Sequence, residues 1–157
     1  MYTEILVGLD GSAFAEQVLR HVEALAEKFD AEVVLVRAST PPEALITESA
    51  PGVLATGTAV DPVPLVEDER EEASRYLEGV AQRLRGRGLS VAYEQPEGPA
   101  ATVIVERARH LQADLIAMTT HGRGGLGRLV FGSVADEVLR NAPCPVLLVR
   151  VSEATAS

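Results

Sequence analysis

The sequence predicts an α/β protein built on a doubly wound, five-stranded parallel sheet with helices on both faces. Short runs rich in β-branched residues alternate with longer stretches in which apolar residues recur every three or four positions. That alternation is typical of βαβ units with right-handed crossovers. Most of the strand runs are apolar nearly throughout, as expected of strands covered on both faces. With 157 residues, 46% of them hydrophobic, the chain is large enough for one packed core.

The first half of the chain contains two predicted strands. Glu4–Asp10 is the first, and apolar residues spaced by three and four from Ala15 to Phe29 predict a helix after it. Ala31–Ala38 is the second strand. Residues 39–64 hold most of the prolines, with scattered Gly, Ser and Thr, so we predict a long loop or a mobile flap there.

The second half continues the same alternation. An apolar stripe predicts a helix from Asp61 to about Arg85, and we interpret its charge run EDEREEASR as a solvated face. We expect residues 1–151 to form one domain and residues 152–157 to form a polar tail. The other predicted elements are, in order, a strand at Leu89–Gln95, a helix at Ala101–Leu111, a strand at Ala113–Thr120, a helix at Ser133–Asn141 and a strand at Cys144–Arg150.

The composition argues against several classes of protein. A formal net charge of −9 disfavours nucleic-acid binding, which needs a surplus of Lys and Arg. The longest apolar runs, such as PVLLV, are too short to span a bilayer, and the run after Glu4 lacks the basic segment of a signal peptide. Cys144 is the one cysteine, so no intramolecular disulfide forms. We therefore expect a cytoplasmic protein with no membrane or nucleic-acid partner.

The stretch TTHGRGGLGRLVFGS, from Thr119 to Ser133, is glycine-rich and locally basic, with no acidic residue. Glycines let backbone N–H groups approach a ligand, and the start of the following helix favours phosphate. In a doubly wound sheet, ligands lie at the carboxyl ends of strands where the strand order reverses. If strands one and four flank that reversal, LDGSA and the glycine-rich loop meet there. The pattern therefore predicts an anion site.

Several side chains of this loop have two possible roles. Ser133 is either the N-cap of the last helix or a hydroxyl donor to a phosphate. Arg123 and Arg128 either hold a polyanion or keep the loop soluble. His121, which we place in the loop, is a neighbour of the phosphate and only weakly a general base.

The strand and loop motifs together resemble those of a known family. From ILVGLDGS to PCPVLLVR the chain resembles the universal stress protein family, whose nucleotide-binding branch carries G-x2-G-x9-G-[ST] after strand four. Gly122, nine further residues and then Gly132-Ser133 satisfy the second part of that pattern. Thr119 stands at the first glycine position, where a Cβ could crowd a ligand. The resemblance implies a Rossmann-like fold of the adenine nucleotide alpha hydrolase-like type, with strand order 3-2-1-4-5.

The resemblance also implies roles for individual residues. Asp10 would contact the ribose or a divalent ion, Mg or Mn, bound to the phosphates; its alternative is an Asx-type cap on a helix that begins near Ser12. The backbone of Ala38 would read the adenine edge. Other positions would cradle the triphosphate or lie beside it: Gly11, Ser12, Thr119, Gly122, Arg123, Gly132, Ser133 and Val134.

The resemblance and the loop chemistry together predict a non-catalytic ATP-binding protein of the stress response. No P-loop, zinc-ligand cluster or G-x-S-x-G elbow occurs in the sequence, which disfavours a dedicated ATPase, a zinc site or a serine hydrolase. One alternative is a homodimeric scaffold with a vestigial pocket, favoured by Thr119. The resemblance places its dimer contact at the last strand, Pro145–Arg150, by antiparallel pairing. The other alternative is a slow ATPase.

Overall fold

A computed structural model of the chain describes residues 1–39, 41, 63–121 and 132–151. All five predicted strands and all four predicted helices occur within these residues, and a short 3-10 helix precedes the first α-helix. The elements, in chain order, are β1 Glu4–Gly8, the 3-10 helix Ala15–Val18, α1 Leu19–Phe29, β2 Glu32–Val36, α2 Val63–Arg85, β3 Val91–Glu94, α3 Ala100–Leu111, β4 Leu115–His121, α4 Ser133–Asn141 and β5 Val146–Val151.

The five strands form one parallel sheet in the order β3-β2-β1-β4-β5, which confirms the predicted order. β1 is central and pairs with β2 through Ile5 opposite Val33, and with β4 through Ile5 opposite Leu115. The chain places β2 and β3 on one side of β1 and β4 and β5 on the other. The strand order therefore reverses between β1 and β4, where an open α/β sheet forms its ligand crevice.

The sheet is covered on both faces, because successive side chains of a strand point to opposite sides. Ile5 and Val7 of β1 pack into one core with α1 and α2, here called face one. Leu6, between them, packs into the other core with α3 and α4, called face two. Val33 and Val34 of β2 divide between the two faces in the same way. This double burial explains why the strand runs are apolar without alternation.

The helices end where the backbone leaves the right-handed region. Asp30 after α1 and Gln112 after α3 both have φ 54, in the left-handed conformation. The N–H of each returns a hydrogen bond into its helix, to Ala26 and Ala108 respectively. Gly88, three residues after the end of α2, has φ 90. These caps start the turns that lead back to the sheet.

The boundaries differ from the sequence predictions in three ways. The strands are shorter, because Leu9, Asp10 and other residues at the predicted ends lie outside the ladders. The single helix predicted from Ala15 is split into a 3-10 turn and α1. His121, predicted in the glycine-rich loop, is instead the last residue of β4 and pairs with Val151, so the loop starts one residue later.

Parts of three predicted segments lie outside the described residues. In the predicted flap 39–64 these are residues 40 and 42–62, so Asp61, the predicted start of α2, lies outside the described residues. The other two are residues 122–131 of the glycine-rich loop and the tail 152–157. Across the described part of the chain, every helix is too short or too polar to cross a membrane.

Candidate functional site

A cavity of about 230 Å³ opens at the carboxyl ends of β1, β2 and β4, at the reversal of strand order. The loop after β1 forms one side, and the start of α4 forms another. Six of the ten predicted site residues line it: Asp10, Ala38, Thr119, Gly132, Ser133 and Val134. Gly11 and Ser12 lie beside the cavity without lining it, while Gly122 and Arg123 lie outside the described residues.

Asp10 lies at the cavity edge, and one of its oxygens is already engaged. The backbone N–H of Ser12 donates to Asp10 Oδ1 at 2.8 Å, and the Ser12 hydroxyl donates to the same oxygen at 2.6 Å. The N–H of Ala15 then donates to Ser12 Oγ at 3.1 Å, which begins the 3-10 helix. The predicted Asx-type turn is therefore present. Because Oδ2 has no hydrogen-bond partner among the described residues, the same carboxylate also offers a ligand atom.

Gly11 has a backbone conformation that favours glycine, and it lies against the guanidinium of Arg37. Its φ is +87, and a Cβ there would lie 2.8 Å from Arg37 Nη1. The guanidinium of Arg37 also lies 5.4 Å from the ring centre of Tyr76 on α2. Burial raises the pKa of Tyr76, with the charge of Glu16 as the next cause, so the phenol stays neutral. Gly11 thus makes room for a cation behind the loop.

The start of α4 lines the cavity with residues whose amides have no hydrogen-bond partner inside the helix. Gly132 is the N-cap residue, and its carbonyl accepts the N–H of Asp136 at 3.0 Å. Ser133 is therefore the first helical residue, and its reading as the N-cap is wrong: no side chain caps this helix. The N–H groups of Ser133, Val134 and Ala135 have no partner within the helix, and all three residues line the cavity. A helix start of this kind favours an anion.

Gly132 leaves space open beside that helix start. Its φ of −58 and ψ of 158 are available to any residue, so its backbone does not demand glycine. A Cβ built on it meets no described atom within 4 Å. The glycine therefore contributes room at the cavity rather than a special turn.

The deeper wall of the cavity is apolar, and the sequence motifs did not predict the residues that form it. Gly8 and Val36 lie at the ends of β1 and β2, Met118 lies on β4, and Ile104 reaches in from α3. A Cβ on Gly8 would lie 3.0 Å from Ile104 Cδ1, so the glycine allows α3 to approach the sheet. The available signal was position, because Gly8 and Val36 are the last residues of their strands and Ile104 lies on the apolar stripe of α3. The further lining residues that were missed are Leu9, Ala15, Ala100, Thr120 and Ala135.

Thr119 and Thr120 lie near the carboxyl end of β4, and both line the cavity. Thr119 lines the cavity, is half-buried and pairs with Val149, and the cavity stays open with its side chain in place. Thr120 also lines the cavity and is 7% exposed. Among the described lining residues, Asp10 is the one ionisable side chain. The described wall therefore attracts anions through backbone amides, not through cationic side chains.

Comparison with known proteins decides the family. The model of the universal stress protein family matches residues 1–150. The chain belongs to the universal stress protein family. A universal stress protein of Methanocaldococcus jannaschii is 34% identical to it over 152 residues, covering 96% of this chain and 83% of that protein. The solved structure of hypothetical protein MJ0577 superposes with a TM-score of 0.78 at 28% identity, covering 98% of this chain and 99% of that one.

Two further solved structures share the fold at lower identity. A universal stress protein in complex with cAMP has a TM-score of 0.65 and 21% identity, covering 96% of this chain and 98% of that one. The universal stress protein from Archaeoglobus fulgidus in complex with dAMP has a TM-score of 0.64 and 23% identity, covering 94% of this chain and 98% of that one. Both are adenine-nucleotide complexes of proteins with this architecture.

Proposed function

We propose that the protein is a cytoplasmic, non-catalytic universal stress protein that binds ATP in this cavity and acts as a regulatory module. One observation carries the proposal: the start of α4, with its free amides, and the Asp10 carboxylate lie on the same cavity at the strand-order reversal. The first group suits phosphate, and the second suits a ribose hydroxyl or a divalent ion.

The polyphosphate would lie at the start of α4. Ser133 is exposed, so its hydroxyl adds a donor to the amides of the first turn. The open space beside Gly132 gives room for phosphoryl groups. Thr119 remains on the wall, and we propose that Gly122 and Arg123 complete this end of the site, in keeping with the family pattern.

The adenosine would lie over the apolar wall. Ile104 and Met118 offer a surface for the base, and the backbone of Ala38 lies at the same wall to read its polar edge. Asp10 Oδ2 is the acceptor for a ribose hydroxyl. The solved complexes of universal stress proteins with cAMP and dAMP support an adenine nucleotide as the class of ligand.

A divalent ion fits this site only together with the nucleotide. Mg²⁺ is commonly held by one or two carboxylates plus substrate phosphates, and Asp10 provides one carboxylate. Among the described residues, no group of three potential metal ligands occurs, so these residues alone offer no dedicated cage. When bound, the ion would neutralise phosphate charge next to Asp10.

The described wall supports the proposal of binding without turnover. ATP hydrolysis needs a group that orients the attacking water and charges that stabilise the transferred phosphoryl group. Asp10 is the one ionisable side chain on the described wall, and its Oδ1 is held by Ser12. Phosphate release well above background, lost in Asp10→Ala, would instead establish the slow ATPase.

The test is direct measurement of the ligand. Mass spectrometry of the purified protein after denaturation should detect carried ATP, and isothermal titration with Mg·ATP should give a micromolar dissociation constant, about −8 kcal/mol. Absence of heat and of any thermal shift at millimolar Mg·ATP would contradict the proposal and favour the scaffold with a vestigial pocket.

We also propose that the protein is a homodimer through Pro145–Arg150. β5 is the last strand in the sheet order, and Val146, Leu147 and Leu148 are only half-buried. Antiparallel pairing of two such edges across a two-fold axis would bury them. Sedimentation at micromolar concentration should give a dimer, and Leu147→Lys should shift it to a monomer. A wild-type monomer under those conditions would exclude this contact.

A further inference from the structure

Thr120 on β4 has a buried hydroxyl with no hydrogen-bond partner in the described part of the chain. Ser39 and Thr120 are the two buried polar residues of the described chain, at 5% and 7% exposure. The Ser39 hydroxyl donates to the carbonyl of Pro96 at 3.4 Å, whereas Thr120 Oγ1 has no hydrogen-bond partner among the described residues. Because an unpaired buried hydroxyl costs free energy, an observed one calls for an explanation.

The position of Thr120 connects it to the helix start. Thr120 follows Met118 by two residues on β4, so both lie on face two of the sheet, which carries α3 and α4. Both residues line the cavity, together with Ser133, Val134 and Ala135 of the first turn of α4. The orphan hydroxyl and the free amides therefore share one wall.

No described acceptor on that wall lies within hydrogen-bond distance of Thr120 Oγ1. A threonine hydroxyl can donate one proton, and the free groups of the helix start are N–H donors that cannot accept it. Asp10 is the one carboxylate among the described lining residues, and its Oδ1 accepts from Ser12 instead. An anionic oxygen at the start of α4 would accept from both the amides and the hydroxyl.

We propose that Thr120 Oγ1 donates a hydrogen bond to a phosphoryl oxygen of the bound nucleotide at the start of α4. This would make Thr120 a specificity-determining residue that favours phosphorylated over unphosphorylated adenosine ligands. The inference deepens the proposed function and rests on it for the identity of the nucleotide, but not for the phosphoryl contact itself.

Thr120→Val tests the contact, because valine keeps the shape of threonine and removes the hydroxyl. Isothermal titration should show affinity for AMP and ATP reduced about five- to tenfold, with affinity for adenosine unchanged. Thr120→Ser, which keeps the hydroxyl, should bind like the wild type. An equal loss for adenosine, or no loss for AMP and ATP, would overturn the assignment.

Two further measurements separate this inference from the proposed function. Thr120→Val without ligand should be at least as stable as the wild type, because no described protein hydrogen bond is lost; clear destabilisation would contradict an orphan hydroxyl. Inorganic tripolyphosphate should raise the melting temperature of the wild type and of Thr120→Ser more than that of Thr120→Val. If the wild type binds no adenine nucleotide but keeps this difference, the proposed function fails and the phosphoryl contact stands. If tripolyphosphate raises the melting temperature of all three proteins equally, the proposed contact of Thr120 with a phosphoryl oxygen is wrong.

Discussion

Gly8, the last residue of β1, permits a close approach by α3 that can be tested by mutation. A Cβ at this position would lie 3.0 Å from Ile104 Cδ1, 3.7 Å from Ile104 Cγ1 and 3.8 Å from Met118 Cβ. Only the first distance is shorter than ordinary van der Waals contact. The φ of Gly8 is not positive, so its backbone accepts alanine. The cost of Gly8→Ala should therefore come from one methyl group, Ile104 Cδ1.

The magnitude follows from that single contact. Overpacking costs about 1–3 kcal/mol, and replacing glycine restricts the unfolded chain by about 0.4–1 kcal/mol, so Gly8→Ala should destabilise by about 0.5–2 kcal/mol. Ile104→Val removes Cδ1 and should cost about 0.5–1.5 kcal/mol on its own. With Cδ1 gone, the new Cβ meets only ordinary distances, so Gly8→Ala should then be neutral or stabilising. The expected coupling between the two sites is about 1–2 kcal/mol.

Equilibrium urea unfolding of the wild type, both single variants and the double variant measures this coupling, provided that the slope with urea stays constant. The matched control is Gly79→Ala on α2, where an added Cβ meets nothing within 4 Å. Its effect should add to that of Ile104→Val within about 0.5 kcal/mol. If Gly8→Ala and Ile104→Val are additive to the same degree, the close approach described here does not exist.

Two other predictions concern the cavity and the acid stability. Gly132→Val should weaken Mg·ATP binding at least tenfold, about 1.4 kcal/mol, because the side chain fills the open space beside the helix start, while the melting temperature should stay nearly constant. Gly79→Val, far from the cavity, is its control in isothermal titration, and equal affinities for both variants would refute the role of Gly132. At the amino ends of β1 and β4, the Thr3 hydroxyl and then the N–H groups of Thr3 and Glu4 hold the pKa of Asp114 below its ordinary value of 3.8. A lowered folded-state pKa stabilises the fold above the unfolded pKa, and that stabilisation is lost as the pH falls through the folded pKa. Asp114→Asn should therefore lose less stability than the wild type between about pH 5 and about pH 2, as measured by urea midpoints, and parallel curves would count against this contribution.

The architecture was largely predictable because it depends on periodicity and burial. Near-continuous apolar runs marked the strands, and the stripe at three- and four-residue spacing marked the helices, including the bounds Ser133–Asn141. The strand ends were not predictable in the same way. Leu9 is buried and apolar, so hydrophobicity extends the run, yet it lies beyond the β1 ladder. Burial and strand pairing are different properties, and the hydrophobic pattern of the sequence indicates only burial.

The site was predictable where a motif fixed it and less so where tertiary packing did. Asp10 and Gly132 lie on the cavity as the sequence pattern indicated. The role of Gly11 was not visible, because it depends on Arg37, which is distant in sequence. The N-cap was one of the two interpretations of Ser133, because serine favours that position, but Gly132 occupies it. The orphan hydroxyl of Thr120 could not be inferred from the sequence, since it depends on which neighbours lie within hydrogen-bond distance.

The two hydrogen bonds from Ser12 to Asp10 Oδ1 fix the rotamer of the Asp10 side chain before any ligand binds. A side chain that is already immobile loses little entropy when it forms a contact, so the free energy of that contact goes to affinity. If the protein binds a nucleotide as proposed, Ser12 would therefore contribute to affinity without contacting the ligand, because it holds the Asp10 carboxylate in place.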